Sequence, residues 1–229
     1  MLKFLGIGSC FNVTMGNTSA YYIDRYNKSM LLIDCGESVF ADLVKKELLK
    51  DLEKLTVVIT HLHSDHVGSL PSLIFYLGIV YGLKPNIVYP DKSEIIEKTL
   101  FSVDKDYYNI YTPEEYSINI CDYLITEIKQ KHSNKISAYG YEIVIDNKKI
   151  YYSGDTHTLS KEILSKFLNN EYISFYHEVT KYENESHYHI SKLIKDIPKE
   201  RRKDVTCMHI DDEELLKLAK DEGFNIPDV

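Results

Sequence analysis

The segment HLHSDH, which begins at residue 61, places four metal-ligand side chains within six positions, directly after the apolar run LTVVIT. The four side chains are His61, His63, Asp65 and His66. Imidazoles and a carboxylate this close together crowd one another, and protonated imidazoles repel. A bound cation removes both problems, and these nitrogen and oxygen ligands suit Zn²⁺ and related first-row ions. The segment therefore predicts a metal site at the end of a strand.

Length and composition predict one globular domain over residues 1–229. The chain is long enough to bury a large core, and no Pro/Gly-rich or low-complexity linker divides it. The net charge is −8, whereas proteins that grip long nucleic acid carry a basic face. The one basic cluster, KERRK at 199–203, is interpreted as a solvated loop. We therefore expect no long nucleic acid as a partner.

The distribution of apolar residues and cysteines favours a cytoplasmic protein. No apolar stretch is long and uninterrupted enough to cross a bilayer, so no membrane partner is expected. The start, MLKFLGIGSC, is typical of a strand followed by a Gly turn rather than of a signal peptide. Four widely spaced cysteines without a CxxC motif indicate reduced thiols, at Cys10, Cys35, Cys121 and Cys207.

Strand and helix patterns alternate along the chain in two comparable halves. The first half has a predicted hairpin of SAYYID and SMLLID around RYNK, and the second has YEIVI and KIYYSG around DNKK. Each half continues with strand–helix units. This order predicts two sheets packed face to face with helices outside, and strand ends that converge on one edge.

Three further ligand-type residues follow apolar strands later in the chain. His132 follows YLITEIKQK, Asp155 follows KIYYSG, and His209 follows DVTCM. With the first four they make seven candidates, too many for one tetrahedral ion and right for two ions that share a bridge. A carboxylate has two oxygens, so Asp155 is the natural bridge. One ion is expected on His61, His63 and His132, and the other on Asp65, His66 and His209.

HLHSDH resembles the HxHxDH signature of the metallo-β-lactamase superfamily. The other motifs match in order, with Asp34 in LLIDCG, His132 in KHS, Asp155 in SGDT and His209 in MHI. The resemblance covers about residues 1–210 and is strongest to the ribonuclease Z and phosphodiesterase branch, because of SGDT and the pair Glu178 and His189. It implies an α/β fold (α+β), the four-layer αββα sandwich, which agrees with the alternation of strands and helices.

The resemblance also implies a dinuclear metal-dependent hydrolase. Two divalent ions, Zn²⁺ first with Mn²⁺ or Fe as alternatives, would activate a bridging hydroxide for in-line attack on phosphorus or a carbonyl. Asp34 would orient the ligand loop by hydrogen bonding, and Asp65 would help to position the hydroxide. His189, oriented by Glu178, would protonate the leaving group. His187 competes for that role, and we favour His189 because HIS fits the His-x-Ser/Thr pattern of the family.

Three functions compete within this superfamily: a phosphodiesterase for a small diester such as a cyclic nucleotide, a tRNA 3′-processing endonuclease, and a lactonase or β-lactamase. Ribonuclease Z carries a tRNA-gripping arm between the ligands that match His132 and Asp155. Here these residues are 23 apart, and a predicted hairpin fills the interval. Lactonases and β-lactamases need no leaving-group acid. We therefore predict hydrolysis of a small phosphodiester.

Two features of the sequence leave the prediction open. The apolar segment at 67–83 can pack on a second copy of the chain, so a homodimer is an alternative to a monomer. The Gly-rich run GIGSCFN at 6–12 and NTS at 17–19 follow the first predicted strand. The superfamily uses this region near the substrate mouth, but Gly turns are common and no residue is assigned there.

Overall fold

The computed structural model describes residues 1–112, 117–120 and 123–229. They form two six-stranded sheets with helices packed against them. The first sheet contains, in order, β1 (Lys3–Gly6), β2 (Ser19–Asp24), β3 (Ser29–Ile33), β4 (Lys54–Val58), β5 (Asn86–Val88) and β6 (Asn109–Tyr111). The second contains β7 (Ser117–Ile120), β8 (Tyr123–Gln130), β9 (Ala138–Ile145), β10 (Lys148–Tyr152), β11 (Ser174–Glu178) and β12 (Val205–Met208).

The helices are short and present one buried face each to the sheets. They are α1 (Val39–Lys45), α2 (Ser64–Val67), α3 (Leu70–Tyr76), α4 (Ser93–Thr99), α5 (Lys161–Leu168), α6 (Ile190–Asp196) and α7 (Glu213–Asp221). A π-helical turn, Leu77–Tyr81, extends α3, and 3₁₀ turns lie at Lys105–Tyr107 and Lys199–Asp204. None of the helices in the described ranges is long and apolar enough to cross a bilayer.

Both sheets combine an antiparallel part with a parallel part. Strands β1 to β3 are antiparallel and β3 to β6 are parallel, whereas β7 to β10 are antiparallel and β10 to β12 are parallel. The two predicted hairpins are confirmed as β2–β3 and β9–β10. Asp146 and Asn147 form the turn between β9 and β10. Their φ angles are 51° and 60°, the left-handed values that a two-residue hairpin turn requires.

Tyrosines of the second sheet fill much of the space between the sheets. The Tyr141 hydroxyl donates a hydrogen bond of 2.6 Å to the carbonyl of Ile59, just beyond β4. The Tyr176 hydroxyl accepts a hydrogen bond from the backbone N–H of Leu2 at 3.1 Å. Each ring contributes apolar area, and its hydroxyl satisfies a buried backbone group on the opposite sheet. Core packing therefore accounts for several of the 19 tyrosines.

The basic cluster KERRK is not a solvated loop, as the sequence suggested, because its two arginines tie helix ends together. Arg201 donates to the last carbonyls of α5, and its guanidinium lies 4.7 Å from the ring centre of Phe167. Arg202 donates to the carbonyl of Ile194 in α6 and to that of Glu222 beyond α7. Helix carboxyl ends leave carbonyls that such cations satisfy. The two arginines are therefore structural, whereas Lys199, Glu200 and Lys203 are exposed.

Two other expectations can be compared with the described residues. The thiols of Cys10, Cys35 and Cys207 are free, whereas Cys121 lies outside the described residues. The apolar segment at 67–83 ends in exposed side chains, with Ile79 70% exposed. Apolar surface suited to a second copy is thus present there, and the homodimer stays a prediction.

We expect Tyr141→Phe to lower the free energy of unfolding by about 1–2 kcal/mol, because the buried carbonyl of Ile59 loses its hydrogen-bond donor. Urea unfolding followed by circular dichroism measures the change. Tyr26→Phe is the matched control, since Tyr26 is 94% exposed and should unfold as the wild type does. Superimposable curves for all three proteins would contradict the role given to the Tyr141 hydroxyl.

Candidate metal centre

Every predicted ligand residue lies just beyond the carboxyl end of a strand. Strand β4 ends at Val58, and the loop after it leads through the HLHSDH segment into α2. His132 follows β8, Asp155 follows β10 and His209 follows β12. Because β8, β10 and β12 run in the same direction, their ends meet at one edge of the second sheet, opposite the end of β4. Residues from both sheets thus form one cluster of candidate ligands, which we call the ligand cluster. Its members are His61, His63, Asp65, His66, His132, Asp155 and His209.

His61, His63 and His132 form the first ligand group. The Nε2 atom of His61 lies 2.9 Å from Nδ1 of His63, which lies 3.2 Å from Nε2 of His132. The Oδ2 atom of Asp155 lies 3.7 Å from the His61 nitrogen and 3.9 Å from the His132 nitrogen. Two ligand atoms bound tetrahedrally at about 2.1 Å lie about 3.4 Å apart. These four atoms can therefore surround one ion.

Asp65, His66 and His209 form the second ligand group. The Oδ2 atom of Asp65 lies 3.2 Å from Nε2 of His66 and 3.5 Å from Nε2 of His209. The same Asp155 oxygen that faces the first group lies 3.5 Å from the His66 nitrogen and 3.4 Å from the His209 nitrogen. Asp155 thus stands between the groups, in the position expected of a bridging carboxylate. The structure brings all seven predicted ligands together.

Buried atoms without partners show that a cation fits the second group. Among the described residues, Nε2 of His66 and both ring nitrogens of His209 are buried and make no hydrogen bond. Their close contacts with carboxylates lack hydrogen-bond geometry. A buried polar atom left without a partner costs about 1–3 kcal/mol. Lone pairs of Nε2 directed at a cation would remove that cost, and nitrogen and oxygen donors suit a divalent first-row ion.

Asp34 fixes the ligand loop, as the resemblance implied. Its carboxylate accepts hydrogen bonds from the backbone N–H and the hydroxyl of Thr60, both at 2.7 Å, and from Nδ1 of His66 at 2.8 Å. Because Nδ1 of His66 carries the proton, Nε2 carries the lone pair and faces the ligand group. Asp34 is fully buried, so water does not compete for these hydrogen bonds.

Burial and charge set the protonation of the ligands. Burial lowers the pKa of the first-group imidazoles, His61, His63 and His132, which keeps their lone pairs available. Burial opposes ionisation of Asp65, yet the imidazoles of His209 and His66 beside its carboxylate hold the pKa of Asp65 below the usual range. Burial also lowers the pKa of His66, but Asp155 and Asp34 outweigh it and raise that pKa. The carboxylates that hold this proton can hold a cation in its place.

The predicted pairing of Glu178 with His189 is wrong. The Nδ1 atom of His187 lies 3.1 Å and 3.2 Å from the two carboxylate oxygens of Glu178. His189 caps α6 instead, where Nδ1 accepts a hydrogen bond from the backbone N–H of Ser191. Its Nε2 donates to the carbonyl of Lys181 at 3.0 Å. Both nitrogens of His189 are thus engaged away from Glu178, because the residue begins a helix.

Glu178 holds His187 beside the ligand cluster. Glu178 is fully buried, and one of its oxygens also accepts a hydrogen bond from the backbone N–H of Thr156 at 2.8 Å. Burial raises the pKa of Glu178, and the bond to His187 opposes that rise. Burial alone would lower the pKa of His187, but Glu178 and then Asp155 raise it to about 9. The Glu178 and Asp155 carboxylates therefore favour a protonated His187 near neutral pH.

A cavity of about 380 Å³ opens onto the ligand cluster. Its volume falls in the range of sites for small molecules. Ligand side chains form part of its wall, and His187 lines it between them. The remaining lining residues are Cys10, Phe11, Ser64, Ser133 and Ser186.

A family model and known proteins resemble the chain over most of its length. The family model described as "Anti-Pycsar protein Apyc1" matches residues 1–225. The Anti-Pycsar protein Apyc1 of Saccharibacillus brassicae is 26% identical over 229 residues, which cover 92% of this chain and 90% of that protein. The Ribonuclease Z of Exiguobacterium sp. is 31% identical over 148 residues, which cover 62% of this chain and 48% of that protein.

Solved structures confirm the predicted metallo-β-lactamase fold. The metallo-beta-lactamase fold protein YhfI from Bacillus subtilis superposes with a TM-score of 0.76 at 15% identity, over 99% of this chain and 94% of that one. A diphosphatase from the PhnP family superposes with a TM-score of 0.78 at 14% identity, over 98% of this chain and 93% of that one. At these identities the likeness concerns the fold.

We expect Asp34→Asn to weaken divalent-cation binding about 10- to 100-fold, the usual effect of losing a partner that orients a ligand. The amide places a donor where the carboxylate accepts from Thr60 and His66, so the ligand loop loses its orientation. Ions retained per chain after dialysis against graded chelator measure the effect. Asp221→Asn, on the exposed surface, is the control. Equal retention by the two variants would contradict the role of Asp34.

Proposed function

This chain belongs to the anti-Pycsar Apyc1 family and is a metal-dependent hydrolase, and we propose that it cleaves a small phosphodiester such as a cyclic nucleotide. We further propose two divalent ions, Zn²⁺ first with Mn²⁺ or Fe as alternatives, held by the two ligand groups. The observation that carries the proposal is the placement of His187. A buried carboxylate holds this proton donor on the wall of a cavity sized for a small molecule, beside the ligand cluster.

The residues of the chain divide the chemistry among them. Ions held on the two groups would supply a water of lowered pKa and neutralise charge on the phosphate oxygens. Asp34 keeps the lone pair of His66 directed at the cluster, and ionised Asp65 can accept a hydrogen bond from the attacking water. His187 donates its proton to the departing alkoxide oxygen. Glu178 keeps the imidazole protonated and in place until that transfer.

Hydrolysis of a small diester is favoured over tRNA processing by what lies between two of the ligands. From His132 to Asp155 the chain forms β9, β10 and their connecting turns, with no arm that could grip a folded RNA. The two arginines of its basic cluster are engaged with helix ends, and the net charge is −8. Phosphate-rich partners are held by basic surfaces, so a macromolecular RNA is disfavoured.

A phosphodiester is favoured over a lactone or a β-lactam as the substrate because the chain is 31% identical over 148 residues to a Ribonuclease Z, a name that denotes cleavage of RNA. The pair of Glu178 and His187 would protonate the poor leaving group of such a diester, a ribose alkoxide. Burial of the Glu178 carboxylate is costly in free energy. That cost is understandable if the proton of His187 takes part in the reaction.

The substrate class is tested with the holoenzyme and a panel of 3′,5′- and 2′,3′-cyclic nucleotides, bis(p-nitrophenyl) phosphate, pre-tRNA, a lactone and a β-lactam. We expect hydrolysis of at least one cyclic nucleotide and of bis(p-nitrophenyl) phosphate, and loss of both activities with chelator. Cleavage of pre-tRNA alone would overturn the proposal in favour of tRNA processing. Hydrolysis restricted to the lactone or the β-lactam would overturn it in favour of carbonyl chemistry.

The proton donor is tested by varying the leaving group. We expect His187→Ala to lower kcat about 100-fold on a cyclic nucleotide, because an alkoxide must leave without a proton. On bis(p-nitrophenyl) phosphate the loss should be about tenfold or less, since p-nitrophenolate leaves unprotonated. Steady-state kinetics on both substrates, with ion content measured for each protein, give the comparison.

His189→Ala is the matched control for this experiment. It removes a helix cap, so it should cost about 1 kcal/mol of stability and leave kcat on both substrates near that of the wild type. A larger loss of kcat for His189→Ala than for His187→Ala would return the role to His189. Equal losses on both substrates for His187→Ala would show that His187 donates no proton.

A further inference from the structure

An exposed phenylalanine stands at the mouth of the catalytic cavity. Phe11 is 92% exposed and lines the same cavity as His63, His187 and His209. Among the described residues that line this cavity, it is the one large apolar side chain. Single exposed apolar residues are common on protein surfaces and need no function. The position of Phe11 and the construction of its loop distinguish it from them.

The loop that carries Phe11 is anchored to the segment that follows β12 and contains His209. The backbone N–H of Ser9 donates to the carbonyl of Ile210 at 3.0 Å, and the side-chain amide of Asn12 donates to the same carbonyl at 3.1 Å. Ile210 directly follows the ligand residue His209. The carbonyl oxygen of the Asn12 amide accepts from the hydroxyl of Thr14 at 2.8 Å. Both neighbours of the loop tip are thus fixed relative to the cluster.

The loop closes by backbone contact at its base. The N–H of Gly8 donates to the carbonyl of Gly16 at 2.8 Å. A Cβ atom on Gly8 would lie 2.7 Å from the carbonyl oxygen of Asn12 and 2.8 Å from that of Gly16, so only glycine fits. The N–H groups of Gly8, Ser9 and Asn12 are all bonded within the protein. The run GIGSCFN is therefore built to present a side chain, and these N–H groups do not cradle a phosphate.

We propose that Phe11 determines substrate specificity by stacking on the nucleobase of a nucleotide whose phosphodiester lies at the ligand cluster. This inference rests on the proposed function. Every nucleobase has a flat face, so stacking binds a base without reading its edge. A ring on a pre-fixed loop has few rotamers to lose and orders no chain on binding. Phe11 would thus select substrates with a base while tolerating purines and pyrimidines.

The kinetic test compares two substrates that share the reacting ring. One is a 3′,5′-cyclic nucleotide, and the other is methyl ribofuranoside 3′,5′-cyclic phosphate, which lacks the base. We expect Phe11→Ala to raise KM for the nucleotide about 5- to 30-fold, as the loss of one stacked base does, with kcat nearly unchanged. KM for the baseless substrate should stay at its wild-type value, and Phe11→Tyr should restore the nucleotide KM. Phe101→Ala is the control, because Phe101 is 86% exposed and does not line the cavity.

Binding separates this inference from the proposed function. Calorimetry measures the affinity of the holoenzyme for cytidine 5′-monophosphate and for ribose 5-phosphate, and neither measurement requires turnover. A wild-type enzyme that hydrolyses no cyclic nucleotide would sink the proposed function, while a preference for the nucleotide that Phe11→Ala abolishes would still support stacking. Equal weakening of both ligands in Phe11→Ala, or no weakening of either, would overturn the inference.

Discussion

The site depends on one carboxylate oxygen held between two sets of imidazoles. The Oδ2 atom of Asp155 lies within 3.9 Å of Nε2 atoms from both ligand groups. The turn that carries it requires Gly154, where φ is 57° and a Cβ atom would lie 2.4 Å from the carbonyl oxygen of Tyr139. A Cβ there would also lie 3.1 Å from the side chain of Thr60, directly before His61. The close approach of the two sheets and the placement of the Asp155 carboxylate thus depend on the same glycine.

Strained backbone accompanies this arrangement. Asp34 and His209 both adopt left-handed conformations, with φ of 62° and 58°. Such conformations are unfavourable for residues other than glycine, by about 1–2 kcal/mol each. They persist where surrounding contacts leave no alternative. At Asp34 the contacts are the three hydrogen bonds to Thr60 and His66. At His209 the backbone N–H is held by the hydroxyl of Thr18. The favourable contacts of the rest of the fold therefore offset the strain that holds Asp34 and His209 in place.

The meeting of the seven candidate ligand residues could be predicted from the sequence because their segments follow apolar strands, and strand direction then dictates where they lie. The histidine that pairs with Glu178 could not be predicted in this way. His187 and His189 are two residues apart and fall on the same side of an extended chain. The start of α6 separates them, since capping its first turn occupies the ring of His189. The structural role of Arg202 could not be predicted for a related reason. The two helix ends that it joins, at Ile194 and Glu222, are distant in sequence from each other. Likewise, the presentation of Phe11 depends on a bond between Asn12 and Ile210, which are 198 positions apart.

The proposed hydrolysis depends on two ions that would share the Asp155 carboxylate. Anomalous diffraction from crystals grown with Zn²⁺, recorded on both sides of the zinc absorption edge, tests it directly. We expect two anomalous peaks about 3.5–4 Å apart, one beside His61, His63 and His132 and the other beside Asp65, His66 and His209. A single peak at the cluster, or peaks that do not contact Asp155, would contradict it.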